Sequence, residues 1–373
     1  MRSKSLASIA VAAGLALAVS ACGANTSSGG GSTNTNSGSS GGAKVGVILP
    51  ETATSARWEG FDKPLLEAAL KKEGLDPDIQ NAQGDVQKFS TLADGMINAG
   101  VKVLIIATPN SEVGASVAKK AQAQGIQVID YDRLNLGGSS SYYVSFDNTK
   151  VGELQGQGMA DALKAAPQGA NVIEIEGAPT DNNATLFTAG QKKVLQPLYD
   201  SGKLKLVQSQ AIEGWDNQKG GQVFEQILTS NGNKVDGVVA ANDGLAGAVI
   251  TVLKKVGLNG KVPVTGQDAT PDGLQAVLRG DQYMTVFKPI KDEAEAAAKL
   301  AAALAKGDTA GADALASGST DDGKANRKVK SVLLSAQLIT KDKVKSVVDA
   351  GFVKAAEICV ADTQAACTEL GIK

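Results

Sequence analysis

The chain has 373 residues, 37 Lys and Arg against 39 Asp and Glu, and no histidine. So even a balance offers no basic surface for nucleic acid and no polybasic patch for anionic lipid. Without histidine there is no Ser-His or Cys-His nucleophile, and the commonest metal ligand is missing.

Arg2 and Lys4 precede an uncharged, alanine-rich run from Leu6 to Val19. The run falls short of the roughly 20 residues a membrane helix needs, and it reads as an export signal over residues 1–21. It stops at Val19-Ser20-Ala21-Cys22. Small residues just before a cysteine point to a lipidated Cys22 as the first mature residue, holding an extracytoplasmic protein to the cell membrane. Residues 22–43 are almost wholly Gly, Ser, Asn and Thr. Such a segment buries too little apolar surface to offset its ordering entropy, and it reads as a flexible tether.

From Lys44 the chain alternates strand and helix. The predicted strands are 44–49, 78–81, 103–107, 127–131 and 142–146, then 170–175, 204–211, 237–241 and 262–266. The predicted helices are 60–73, 85–98 and 111–124, then 151–163, 184–200, 215–230 and 245–256. Runs such as VLIIA at 103–107 and GVVAA at 237–241 lack polar alternation. They suit strands buried on both faces of a parallel sheet flanked by helices. Two successive series of such units imply an α/β protein with two doubly wound parallel-sheet lobes. GQG at 156–158 falls inside a predicted helix and lacks the strand-turn-helix setting of a dinucleotide loop. Cys359 and Cys367 remain in an exported, oxidising setting, and a disulfide between them is expected. Two cysteines without histidine do not suit zinc, no EF-hand-like acidic loop is present, and no cofactor is expected.

Open α/β sheets bind ligands beyond the carboxyl ends of their strands. The residues there are Arg57 and Trp58, Pro109 and Asn110, Asp132 and Arg133, Asp181 to Asn183, Asn242 and Asp243, and Gln267 and Asp268. Each Asp or Asn taken alone also suits a helix cap. Together they suit a neutral polyhydroxylated ligand. Sugar hydroxyls both donate and accept, as carboxylates, amides and a guanidinium fork require. The apolar face of a sugar ring packs on a flat indole, and Trp58 and Trp215 are the only tryptophans.

At these residues the sequence resembles the periplasmic sugar-binding proteins of ABC importers, in the ribose/galactose/xylose group, and most of all the D-xylose binders. The likeness runs from about residue 44 to about 352. It includes ARW at 56–58, DYDR at 130–133, SFDNTKVGELQ at 145–155 and DNNA at 181–184. It continues with EGW at 213–215, AND at 241–243, GQDA at 266–269 and MTVFKPI at 284–290.

The resemblance implies a type I periplasmic binding protein fold, with two lobes on a three-segment hinge. The expected lobes are 44–145 plus 286–318, and 146–285 plus 319–373. It implies ligand contacts from Arg57, Trp58, Asp132 and Arg133 on one lobe. Asn183, Trp215, Asn242 and Asp268 are expected on the other, and Lys288 near a crossover. It implies a monomer that closes on a monosaccharide, D-xylose in the nearest group, and passes it to an ABC permease. Two other readings share the fold or the ligand: a sugar-binding domain serving a sensory receptor, and an exported carbohydrate-active enzyme. The enzyme would need a carboxylic acid of raised pKa, and Arg133 beside Asp132 favours the ionised form instead.

Overall fold

The structure is a computed structural model that describes residues 41–373. The expected signal peptide, Cys22 and the tether up to residue 40 lie outside the described residues.

The first sheet grows from β1 (Lys44–Leu49), β2 (Asp76–Asn81), β3 (Val103–Ile106), β4 (Gln127–Tyr131) and β5 (Tyr142–Phe146), all parallel. Between them run α1 (Lys63–Lys72), α2 (Val86–Asn98) and α3 (Ser111–Ala123). Side chains alternate across a strand. Val45, Val47 and Leu49 therefore pack with Leu66 and Leu70 of α1, while Ile48 packs with Phe89 of α2 and Val117 of α3. Both faces are covered, which is why these strands read as continuous apolar runs.

The chain then leaves through Asp147, whose N–H donates to the carbonyl of Leu334 at 3.0 Å. A second series follows: α4 (Asn148–Ala162), β6 (Ala170–Glu176), α5 (Asn182–Asp200), β7 (Leu204–Ala211), α6 (Asn217–Ser230), β8 (Gly237–Ala240) and α7 (Asp243–Lys255). Its sheet has the order β7-β6-β8, again parallel. The predicted strand at 262–266 forms only an isolated bridge, Val238 to Val264. Pro263 has no N–H to give a ladder. The segment still joins β8 through Thr265 N–H and, through the carbonyl of Val264, accepts from Tyr283.

After α8 (Pro271–Arg279) and β9 (Met284–Phe287), α9 (Ile290–Ala305) returns to the first sheet. Its Ala294, Ala298 and Ala301 join the cluster of Val45 and Ile105. α10 (Thr309–Leu315) leads into β10 (Gly318–Asp322) and β11 (Arg327–Leu334). β11 pairs parallel with β5 and antiparallel with β10, giving the first sheet the order β10-β11-β5-β4-β3-β1-β2. Residues 319–334, expected in the second lobe, thus extend the first sheet. β5 would otherwise be an edge strand, and an unpaired edge is costly to leave bare. β12 (Gln337–Thr340) crosses back and pairs antiparallel with β9. Three segments therefore link the two halves.

The C-terminal helices α11 (Val344–Asp349), α12 (Ala355–Ile358) and α13 (Gln364–Glu369) pack on α8 through Val347, Ile358, Leu274 and Val277. A disulfide joins Cys359 and Cys367 there.

Candidate ligand-binding site

The carboxyl ends of both sheets meet around one small cavity of about 30 Å³. Arg57, Trp58, Asp132, Arg133, Asn183, Trp215, Asn242, Asp268 and Lys288 all line it. The structure therefore brings together every residue singled out as a ligand contact.

Arg57 and Trp58 start α1 through a π-helical turn, Trp58–Asp62. Such widened turns recur at functional sites. Here the turn sets the Arg57 guanidinium 4.4 Å from the Trp58 ring and Arg133 5.1 Å from it. Arg57 is buried, and four hydrogen bonds occupy it. Nε and Nη2 fork onto Asp62 at 2.9 and 2.8 Å, Nη1 donates to Asp132 Oδ2 at 2.8 Å, and Nη2 also reaches Glu293 Oε2 at 3.1 Å. A guanidinium has five donors, so Arg57 holds the wall and has one N–H left over.

Three carboxylates around one arginine cannot all ionise cheaply in a buried place. Burial, with the negative charge of Asp132, pushes the Glu293 carboxyl well above the usual range. Burial also raises Asp132, but Arg57, Lys288 and Arg133 outweigh it and hold that carboxylate below its ordinary value. The same network thus pushes the two carboxyls in opposite directions. The Tyr131 hydroxyl completes the network by donating to Asp62 at 2.7 Å.

Asp132 adopts φ 60°, Trp215 φ 58° and Asp268 φ 96°. Left-handed backbone at non-glycine residues costs roughly 1–3 kcal/mol each and collects at ligand sites. At Asp132 the turn presents both oxygens. Oδ2 takes Arg57, and Oδ1 takes the Asn183 amide at 3.1 Å. Asn183 sits on α5, so this bond joins the two halves. Its Oδ1 accepts in turn from Asn148 at 2.9 Å.

Asp181 does three things at once. Oδ1 caps α5 by accepting the N–H of Asn183 at 2.9 Å. Oδ2 lies 3.0 Å from Arg133 Nε and accepts the Trp215 indole N–H at 3.1 Å. Trp215 lies flat against Gly177, where a Cβ would come within 2.1 Å of the ring. Only glycine lets the indole seat there. Asn242 caps α7 by accepting from Leu245 N–H at 2.9 Å. Lys288 bridges the halves, 3.1 Å from Asp268 Oδ1 and 3.8 Å from Asp132 Oδ2.

Further lining residues are Gln267, already named at a strand end, and Glu51 and Thr54, which were not expected as contacts. Glu51 accepts the N–H groups of Ala53 and Thr54 at 2.7 Å each and of Ser55 at 3.1 Å, fixing that loop. Thr54 O accepts from Asn217 of α6 at 3.1 Å, another bond between the halves. Gln267 also lines the cavity, and its buried Oε1 has no partner among the described residues. Asp62 and Glu293 back Arg57 from behind. Glu293 stands in KDEAEAAAK, where the pattern alone suggests a solvated helix face.

Residues 45–309 match the family described as periplasmic binding protein domain. The chain belongs to that family. Its members are binding proteins, and this chain is not an enzyme. It is 39 % identical to the D-xylose-binding periplasmic protein of Escherichia coli, over 84 % of this chain and 92 % of that one. It is 42 % identical to the D-xylose-binding periplasmic protein of Haemophilus influenzae, over 69 % of this chain and 76 % of that one. Among solved structures it is similar to a carbohydrate transporter solute-binding protein of Chloroflexus aurantiacus in complex with D-glucose. That match has 30 % identity and a TM-score of 0.77, over 84 % of this chain and 97 % of the other. Among the described residues, no helix is long and apolar enough to cross a membrane.

Proposed function

We propose that this protein captures a neutral monosaccharide, D-xylose first, by closing its two halves and delivering it to the permease of an ABC importer. One observation carries the reading: each cation in the cavity already has a carboxylate partner. Arg57 has Asp62 and Asp132, Arg133 has Asp181, and Lys288 has Asp268. No free positive charge remains for a sugar acid or a phosphate. What remains are hydroxyl-matching atoms, such as Gln267 Oε1, beside the indoles of Trp58 and Trp215.

Closure is a population shift. Asn183 to Asp132 and Asn217 to Thr54 form only when the halves meet. A ligand touching both walls favours that state by its differential affinity. The D-xylose-binding relatives support the choice of pentose. The export signal and Cys22 support a lipid anchor on the outer side of the membrane.

Titration of tryptophan fluorescence with D-xylose, ribose, arabinose, glucose and galactose tests the ligand. Saturable binding of at least one is expected. Silence toward all five, or tighter binding of a uronic acid, ends the reading. The anchor is tested by Cys22→Ser, which should move the protein from the membrane fraction to the medium.

A further inference from the structure

Thr54, Ser55 and Asp268 do not only line the cavity just described. They also line an adjoining cleft, open to solvent, of about 410 Å³. One wall of this outer space is the loop at Ala53 and Ala56, and the other is formed by the first turns of α7 and α8.

Three features define what fits there. The first is room, because Gly247 of α7 leaves bare backbone and a Cβ on it would meet nothing within 4 Å. The second is a spare acceptor. Asn217 spends Nδ2 on the carbonyl of Thr54, while its buried Oδ1 has no partner among the described residues. A buried acceptor without a donor costs about 1–3 kcal/mol, so a ligand hydroxyl is favoured there. The third is charge. No lysine or arginine lines this cavity, while Asp268 and Asp272 do. The helix starts are already served by their own side chains. Asn242 caps α7, Thr270 Oγ1 accepts Gly273 N–H at 3.1 Å, and Asp243 Oδ2 accepts Thr270 N–H at 2.9 Å. An anionic group would meet carboxylates and no free cation.

We propose that the outer cavity is a second sugar subsite, so that the protein also takes neutral glycosides, disaccharides first among them. One ring occupies the inner cavity, and the next lies beyond Ser55 and Asp268. The inference rests on the monosaccharide reading of the inner cavity.

Calorimetry with D-xylose, D-glucose, xylobiose and cellobiose tests it on the wild type and on two filling variants. Gly247→Trp and Ala53→Trp enter from opposite walls. Replacing a helical glycine does not weaken α7, and Ala53 is an exposed loop residue. In the wild type, the disaccharide of the preferred sugar should bind within about tenfold of the monosaccharide. Each variant should lose at least about tenfold for the disaccharide and stay within about twofold for the monosaccharide. A wild type that takes a monosaccharide but binds its disaccharide about a hundredfold more weakly overturns the subsite alone. So do variants that weaken both sugars equally. If no monosaccharide binds the wild type, the inner-cavity reading fails and the subsite falls with it.

Discussion

The wall from the first sheet and the wall from the second hold their polar groups by different means. On the first, Arg57, Asp62, Asp132, Glu293 and Tyr131 form a buried network whose members satisfy one another. On the second, Asp181 and Asn242 are helix caps and Trp215 rests on Gly177. A buried ion network is all-or-none, because removing one member strands the others. A cap is local and worth about 1 kcal/mol. The first wall should therefore break globally and the second gradually.

The largest effect is expected from Arg57→Ala. It strands the carboxyl groups of Asp62, Asp132 and Glu293, and should cost about 3–5 kcal/mol of unfolding free energy, together with sugar binding. Urea denaturation followed by tryptophan fluorescence measures both. Arg57→Lys should recover little, because a point ammonium cannot reproduce the fork onto Asp62. A mild loss for Arg57→Ala would show that the first wall is no stiffer than the second.

Asp181→Ala comes next. It unpairs Arg133, frees the Trp215 indole and removes a cap. Affinity should fall about ten- to a hundredfold, while stability falls by about 1–2 kcal/mol. Calorimetry beside thermal melts separates the two. A larger stability loss than for Arg57→Ala would reverse the comparison.

The second half also carries a pH dependence. Burial, with Glu174 nearby, pushes Glu176 up to about 8, and burial, with Asp268, pushes Asp243 up to about 7. An unfolded carboxyl titrates near pH 4, so the folded state holds more protons between these values. Stability is then fully present below about pH 4 and is lost as pH rises through about 7 to 8. Melting temperature should drop from about pH 5 to about pH 9, with a flatter profile for Glu176→Gln, which stays neutral throughout.

The smallest effect is expected at the seam. Asn217→Ala removes one bond between the halves, worth about 1 kcal/mol, and should speed sugar release by about fivefold. Stopped-flow fluorescence measures this, with exposed Lys119→Ala as the unchanged reference. An unaltered release rate would mean that the seam at Thr54 does not control opening.

Much of the fold was legible because strands buried on both faces leave a clear pattern, and polar residues at their ends mark helix starts. VLIIA and GVVAA are such strands, and Asn110 and Asn242 are such starts. The lobe boundary was less legible. Ser331 is buried where β11 meets β5, pairing with Tyr143 about 190 residues earlier in the chain, and no local pattern announces that pairing. Asp62 and Glu293 were missed for a related reason. A carboxylate on an amphipathic helix looks the same whether it faces water or a buried arginine.

By itself, the sequence determined the alternation of strands and helices, the balanced charge and the residue types at the strand ends, all of which are local properties of the chain. Tertiary structure alone decided that Arg57 is held by three carboxylates, that the carboxyls of Asp132 and Glu293 are pushed in opposite directions, and that two cavities share one rim. Those outcomes depend on distances between residues far apart in the chain and on the low dielectric that closes around them, and neither exists until the halves are folded together.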